Sequence, residues 1–321
     1  MVIPEMESRK NNGACSLAFL KPHLGAAALA IAPGSGKTRL IVFVHGGHGD
    51  HITTWANHDA KTYWPKLVRD DTVNFGLVDV AVFDYRSPVQ EKAPGVRNIS
   101  NSLRDLLRES NATDYDDIVF VAHSLGGVVT RKLLVDFATD ENPLLGKTRL
   151  VASMACAYGG SVLLELIDRV GSENEHMEDV KTGSAFLNDL NAAWEKLRNE
   201  ASPQQRQRPF VLSMWSGKDF VVTRNHAQLG CDIVLLMKTV TDSLIVTDEQ
   251  EEWAIQSLTP WDTFPDMPIT KREELFPKKL RQARPGANDD LDHIDIVKPD
   301  NVDHAAHLAL RDAFRLAVSN S

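Results

Sequence analysis

Short apolar runs alternate along the chain with longer stretches in which apolar residues recur every three or four positions. The runs "RLIVFVHGG" (39–47), "LVDVAVFDYR" (77–86), "DIVFVAH" (117–123), "RLVASMACAYGG" (149–160) and "RPFVLSMWSG" (208–217) read as buried strands, and "CDIVLLMKTV" (231–240) as a sixth. Between them "YWPKLVRDD" (63–71) reads as a helix with Pro65 in its first turn. "VRNISNSLRDLLRES" (96–110) places apolar residues at 96, 99, 103, 106 and 107, which is helical spacing. Residues 125–138 and 301–318 complete the helices. Strands that alternate with helices predict a parallel sheet covered on both faces. Such sheets gather ligands beyond the carboxyl ends of their strands.

Two stretches break the alternation. Residues 161–207 contain "SAFLNDLNAAWEKL", and residues 248–290 are rich in charge, Pro and Trp. We expect a single domain over 1–321, with 161–207 as a cap segment and 248–290 as an insertion. In the first stretch Ala185, Phe186, Leu187, Leu190, Ala193, Trp194 and Leu197 form an apolar helical stripe. It serves either as packing or, through Phe186 and Trp194, as one edge of a substrate pocket.

The 321 residues are 43% hydrophobic and 25% charged, with a formal net charge of −9. That balance suits a globular core and argues against nucleic acid as a partner. Three widely spaced cysteines suggest neither a disulfide framework nor a zinc site, so we expect a reducing, cytoplasmic setting. "LGAAALAIAP" (24–33) is small and apolar like a leader core, but Lys21, Pro22 and His23 interrupt it, so a cleaved leader is not expected. No run has the roughly 18–20 apolar residues of a membrane-spanning helix, so no integral membrane segment is expected. The oligomeric state is not legible.

The chemistry concentrates at strand ends. In "VAHSLGGVV" (121–129) Ser124 stands between a strand and a helix. A sharp turn there would lift its hydroxyl above the sheet, with the helix N-terminus favouring developing negative charge. The G-x-S-x-G pattern has Gly126 in its second place and Ala122 in its first. The competing reading is an ordinary helix N-cap, a position serine favours. "VHGGHGD" (44–50) is a Gly-rich turn directly after a strand. The N–H of Gly47 and that of Leu125 are the candidate oxyanion donors. Asp219 follows a later strand.

These stretches, followed by "WSGKDFVV" (215–222) and "DHIDIVKP" (292–299), resemble the α/β-hydrolase superfamily. The likeness is greatest to lipase-like serine hydrolases, including the serine active site-containing protein and GPI inositol-deacylase groups. It spans roughly residues 38–318, and "GSAFLNDLNAAW" (183–194) shares in it. The resemblance implies an α/β-hydrolase fold: a mostly parallel central sheet flanked by helices, with cap insertions. It also implies a serine esterase or lipase acting on a small-molecule ester or acyl lipid, without cofactor or metal. It places the acid of a catalytic triad at Asp219 and the base at His293, in the order Ser, Asp, His that this superfamily uses. The long gap between Asp219 and His293 departs from the usual spacing, and the 248–290 insertion would account for it.

Other candidates compete. His123 adjoins the serine, His45 and His48 border the Gly-rich turn, and His304 and His307 lie in the closing helix. Asp232, Asp242 and Asp248 are reserve acids, and Asp292 reads as a solvated neighbour of His293. "APGSGKTRL" (32–40) lacks the first Gly of a P-loop, which is Ile31, and precedes a strand instead of following one. "HGGHGDH" (45–51) has a metallohydrolase flavour, but His45 and His48 are one position too far apart for H-x-H-x-D-H. A non-catalytic or signalling module is the second class, since the resemblance implies that such domains are sometimes joined to larger receptors. A metal-dependent hydrolase is the third.

Overall fold

A computed structural model of the chain describes residues 3–10, 15–31, 37–47, 49–86, 94–160, 179–199, 208–216, 230–237 and 295–319. Asp219, His293, His48, Asp242, Asp248, Asp292, the 248–290 stretch and much of 161–207 lie outside the described residues.

Among the described residues, eight strands form the main sheet. They are β1 (Met6–Lys10), β2 (Ser16–Leu20), β3 (Arg39–Val44), β6 (Asp79–Asp84), β7 (Asp117–His123), β8 (Thr148–Met154), β9 (Phe210–Ser216) and β10 (Ile233–Met237). Two further strands, β4 (Ala56–Asn57) and β5 (Thr62–Tyr63), pair as a small ribbon. The main order is β1-β2-β6-β3-β7-β8-β9-β10. From β6 to β10 every neighbouring pair is parallel, whereas β1 pairs β2, and β2 pairs β6, antiparallel. The hydrophobic pattern predicts the parallel part and misses the β1–β2 hairpin.

The helices are α1 (Gly25–Ile31), α2 (Trp64–Asp70), α3 (Thr72–Phe75), α4 (Val96–Glu109), α5 (Leu125–Thr139), α6 (Pro143–Lys147), α7 (Ala185–Asn199) and α8 (Ala305–Ser319). Side chains of a strand alternate between faces, and the core divides accordingly. Leu40, Val42, Val44, Ile118, Phe120 and Ala122 face α4, α5 and α7. Ile41, Phe43, Val119 and Val121 face α2, α3 and α8. All seven positions of β7 are buried, as a central strand covered on both faces requires. The predicted stripe of α4 is buried at Val96, Ile99, Leu103, Leu106 and Leu107. The small apolar segment near residue 24 forms α1, and its Leu29 enters the core. No described helix is long and apolar enough to cross a membrane.

Candidate active site

Parallel strands deliver their carboxyl ends to one edge of the sheet. Val44 of β3 pairs with Ala122 of β7, and His123 of β7 pairs with Met154 of β8. The next residues of these strands, His45, Ser124 and Ala155, therefore meet at that edge.

Ser124 is the sharpest feature there. Its φ of 51° and ψ of −120° place a non-glycine residue in the left-handed half of backbone space, outside the helical and extended wells. Such a conformation costs on the order of 1–3 kcal/mol and persists only when the surroundings enforce it. Several contacts enforce it here. The Ser124 N–H donates to the Met154 carbonyl at 2.9 Å, and its own carbonyl accepts from Gly127 at 3.1 Å and Ala157 at 3.4 Å. An N-cap serine adopts extended backbone and accepts an N–H of the first turn through its side chain. Ser124 does neither, for it makes no side-chain capping bond to α5. The ordinary-cap reading is thereby removed.

Glycine is obligatory just beyond. A Cβ on Gly126 would stand 2.3 Å from the Val44 carbonyl oxygen and 2.4 Å from that of His45. The first turn of α5 thus slides directly under the end of β3. On Gly127 a Cβ would meet Cys156 Sγ at 2.2 Å. Ala122, which replaces the first glycine of the pattern, carries its methyl into the buried core on the α5 face.

The Gly-rich turn is pressed against the serine. A Cβ on Gly46 would lie 2.8 Å from Ser124 Cβ and 3.0 Å from His123 Nδ1. The N–H groups at the start of α5, that of Leu125 first, lack intrahelical partners by the nature of a helix end. Around the turn, Asp84 of β6 gathers two histidines. Its Oδ1 is 3.5 Å from His45 Nε2 and 3.2 Å from His51 Nδ1, and it accepts the His51 backbone N–H at 3.2 Å. Burial would push the Asp84 carboxyl up, but its contacts with the imidazoles of His45 and His51 outweigh it and hold the group well below the usual carboxylate range. In return, Asp84 raises His51 above the ordinary histidine value. Among the described residues, no three His, Cys, Asp or Glu side chains are grouped to hold a metal ion.

Several competing residues have other work. His307 is fully buried; its Nδ1 accepts from Trp64 Nε1 at 3.3 Å and its Nε2 donates to Asp71 at 3.1 Å. His304 accepts the Ala306 N–H on Nδ1 at 3.2 Å, capping α8. His123 is buried with its ring at the edge of Trp55. Asp232 precedes β10, so it lies at the amino edge of the parallel sheet, opposite Ser124. There it pairs with Arg198 and accepts the Val211 N–H at 2.7 Å.

Phe186, Leu187, Leu190 and Trp194 of α7 are buried in the cluster shared with α5. The two aromatic positions point to different ends of the molecule. Trp194 Nε1 donates to the Gly230 carbonyl at 3.0 Å, near the amino edge. Phe186 lies under Arg97, whose guanidinium is 5.0 Å from the ring centroid, at the start of α4. Sequence reasoning missed the buried Arg131, which stacks on Tyr158 at 3.4 Å and donates to Asn191 at 2.6 Å. A charged residue inside an otherwise apolar helix stripe was its signal.

Protein SERAC1 of Mus musculus is 26% identical over 149 residues, a match covering 39% of this chain and 22% of that protein. The chain therefore spans well under half the length of this curated relative. Among solved structures, phospholipase PlaB from Legionella pneumophila is 20% identical with a TM-score of 0.45, covering 60% of this chain and 45% of that one. The Bacillus licheniformis lipase BlEst2 in mature form is 17% identical with a TM-score of 0.41, covering 65% and 85%. The model of the alpha/beta hydrolase family matches residues 41–314. That span takes in the sheet from β3 onward, the strained serine and the closing helix, and the chain belongs to the alpha/beta hydrolase family.

Proposed function

We propose that the protein is a serine hydrolase of carboxylic esters or acyl lipids, with Ser124 as nucleophile, His293 as base and Asp219 as the acid that orients it. The observation that carries this reading is the backbone of Ser124: strained, held at its N–H by Met154 of β8 and at its carbonyl by Gly127 and Ala157, with no side-chain capping bond to α5. A fold keeps such a turn where a hydroxyl must stand above the sheet.

In this reading His293 takes the Ser124 proton as Oγ attacks the substrate carbonyl. The negative charge that develops on the carbonyl oxygen falls to the N–H groups of Gly47 and Leu125. His293 then returns the proton to the leaving alcohol, and water releases the acyl group by the same steps. Asp219 fixes the imidazole and steadies its charged form. Asp219 follows β9 closely in sequence, on the carboxyl side, and His293 directly precedes the turn at Asp295–Val297. That turn's Ile296 and Val297 are buried, and the carbonyl of Lys298 accepts from Asn57 at 2.9 Å. Phe186 offers an apolar edge for an acyl chain.

The test is covalent labelling by a fluorophosphonate, together with turnover of short p-nitrophenyl esters. Wild type should be labelled and Ser124→Ala should not. Ser124→Ala, His293→Ala and Asp219→Asn should each lose activity, on the order of 10³-fold or more for the first two. EDTA should leave the rate unchanged. A folded Ser124→Ala protein that still turns over ester near the wild-type rate sinks the assignment, and a wild type that resists the label favours the non-catalytic module.

A further inference from the structure

His45 is fully buried beside the candidate site, yet it has no part in the proton transfers proposed above. Its ring is held on every side. Nδ1 lies 2.8 Å from the Gly46 carbonyl oxygen, and Nε2 receives the Tyr85 backbone N–H at 3.2 Å. A carbonyl can only accept, so Nδ1 donates. A backbone N–H can only donate, so Nε2 accepts. The two partners together place a proton on Nδ1 and leave Nε2 as an acceptor. The Tyr85 ring stacks on the imidazole at 4.1 Å and 8°, and the Tyr85 hydroxyl donates to the His45 carbonyl at 2.7 Å. Asp84 stands farther from Nε2, at 3.5 Å, and makes its closer contacts with His51.

The group that this ring holds decides its role. The Gly46 carbonyl and the Gly47 N–H belong to one planar trans peptide and point in opposite directions. Holding the carbonyl therefore aims the N–H. This peptide is flanked by glycine on both sides, and glycine populates both signs of φ, so little else opposes a flip. A flip would turn the Gly47 N–H away from its present direction. Besides the ring, the Gly49 N–H reaches the same carbonyl, at a long 3.3 Å.

We infer that His45 is a positioning residue: through its Nδ1–H bond to the Gly46 carbonyl it aims the Gly47 N–H, the oxyanion donor, and Tyr85 of the neighbouring strand end sets the tautomer that makes this possible. The inference rests on the serine-hydrolase reading and adds to it a residue that touches neither substrate nor proton.

The experiment compares His45→Leu, which keeps bulk and removes the donor, with His45→Asn, whose amide N–H occupies nearly the place of Nδ1. For each we would measure kcat and KM on a p-nitrophenyl ester, inhibition by a trifluoromethyl ketone of the same acyl chain, and a melting curve. His45→Leu should lower kcat on the order of 10²-fold, as loss of one oxyanion donor does. Its KM should change little, and its affinity for the ketone, which forms an oxyanion on the serine, should fall in step with kcat. His45→Asn should recover most of both. His45→Ala carries the same expectation if the leucine variant does not fold. Losses that are equal in the Leu and Asn variants and follow the melting temperature would overturn the proposal, as would a His45→Leu enzyme with wild-type kcat. A wild type that is neither active nor labelled overturns the hydrolase reading and this proposal together, whereas an active wild type with an indifferent His45 overturns this one alone.

Discussion

At the scale of the residue, the site depends on what glycine lacks. Gly126 lies so close to the end of β3 that a methyl would press on two backbone carbonyls, those of Val44 and His45. Backbone of a central strand cannot retreat as a flexible side chain can. Gly126→Ala is therefore expected to destabilise the protein by on the order of 3 kcal/mol, at the upper end of ordinary overpacking. The urea midpoint should fall at an unchanged m-value; a variant with the wild-type midpoint would mean that the β3 end is free to move. The need for Gly126 and the turn at Ser124 were both legible in "AHSLGG", because a strand followed by a helix leaves little choice of connection. The tautomer of His45 was not legible, since it depends on Tyr85, which the chain places on another strand. Nor were the roles of His304 and His307, which only the packing of α8 assigns to capping and to Trp64.

At the scale of the element, α7 shows how one stripe serves two ends of a molecule. Its last turns are tied to the amino edge of the sheet, through Trp194 to Gly230 and through Arg198 to Asp232. Phe186 and Trp194 are two helical turns apart, about 12 Å at 1.5 Å per residue. Trp194→Ala is expected to lower the melting temperature and leave chain-length preference alone, because the ring packs between Gly230 and Arg131. Phe186→Ala is expected to shift the kcat/KM ratio of octanoyl to acetyl esters by about tenfold, as loss of contact with two methylenes at ~0.8 kcal/mol each implies. If the ratio stays constant in both, the stripe is core alone. Periodicity revealed α4 nearly to the residue, since it has one strongly apolar face; α5, buried all round through Leu125–Arg131, was legible instead from the strand, turn and helix around Ser124. Periodicity missed β1, "MESRK", because an edge strand pairs on one side only and here exposes Glu7, Ser8 and Lys10. The run 149–160 overshot because Ala155 takes a φ of 49° and ends β8, while Cys156 and Tyr158 beyond it remain buried.

At the scale of the whole molecule, α8 closes the fold over α2 and α3, and His307 is the polar point of that closure. Burial depresses its imidazole below the ordinary value, outweighing the pull of Asp71. In the unfolded chain the ring takes a proton as pH falls through about 6.5; in the fold it resists. Acidification therefore favours unfolding, and stability present above that pH is lost as the medium falls toward the folded value. From about pH 7.5 to 5.5, wild type should lose more stability than His307→Gln. Chemical denaturation at the two pH values checks this, and parallel losses would show that the ring does not titrate differently on folding. The strand order has a further consequence, for the history of each molecule after synthesis. Ser124 sits on β7, its backbone is held by β8, and the turn beside it hangs from β3, so its geometry requires partners distant in sequence. Pairings of that kind form slowly, because long loops must close before they are rewarded. A newly made chain thus carries an ordinary, unstrained serine while its helices are already forming. The sharp turn arises only as the central strands come into register, so that, on the serine-hydrolase reading proposed above, catalysis is withheld from any chain that has not finished folding.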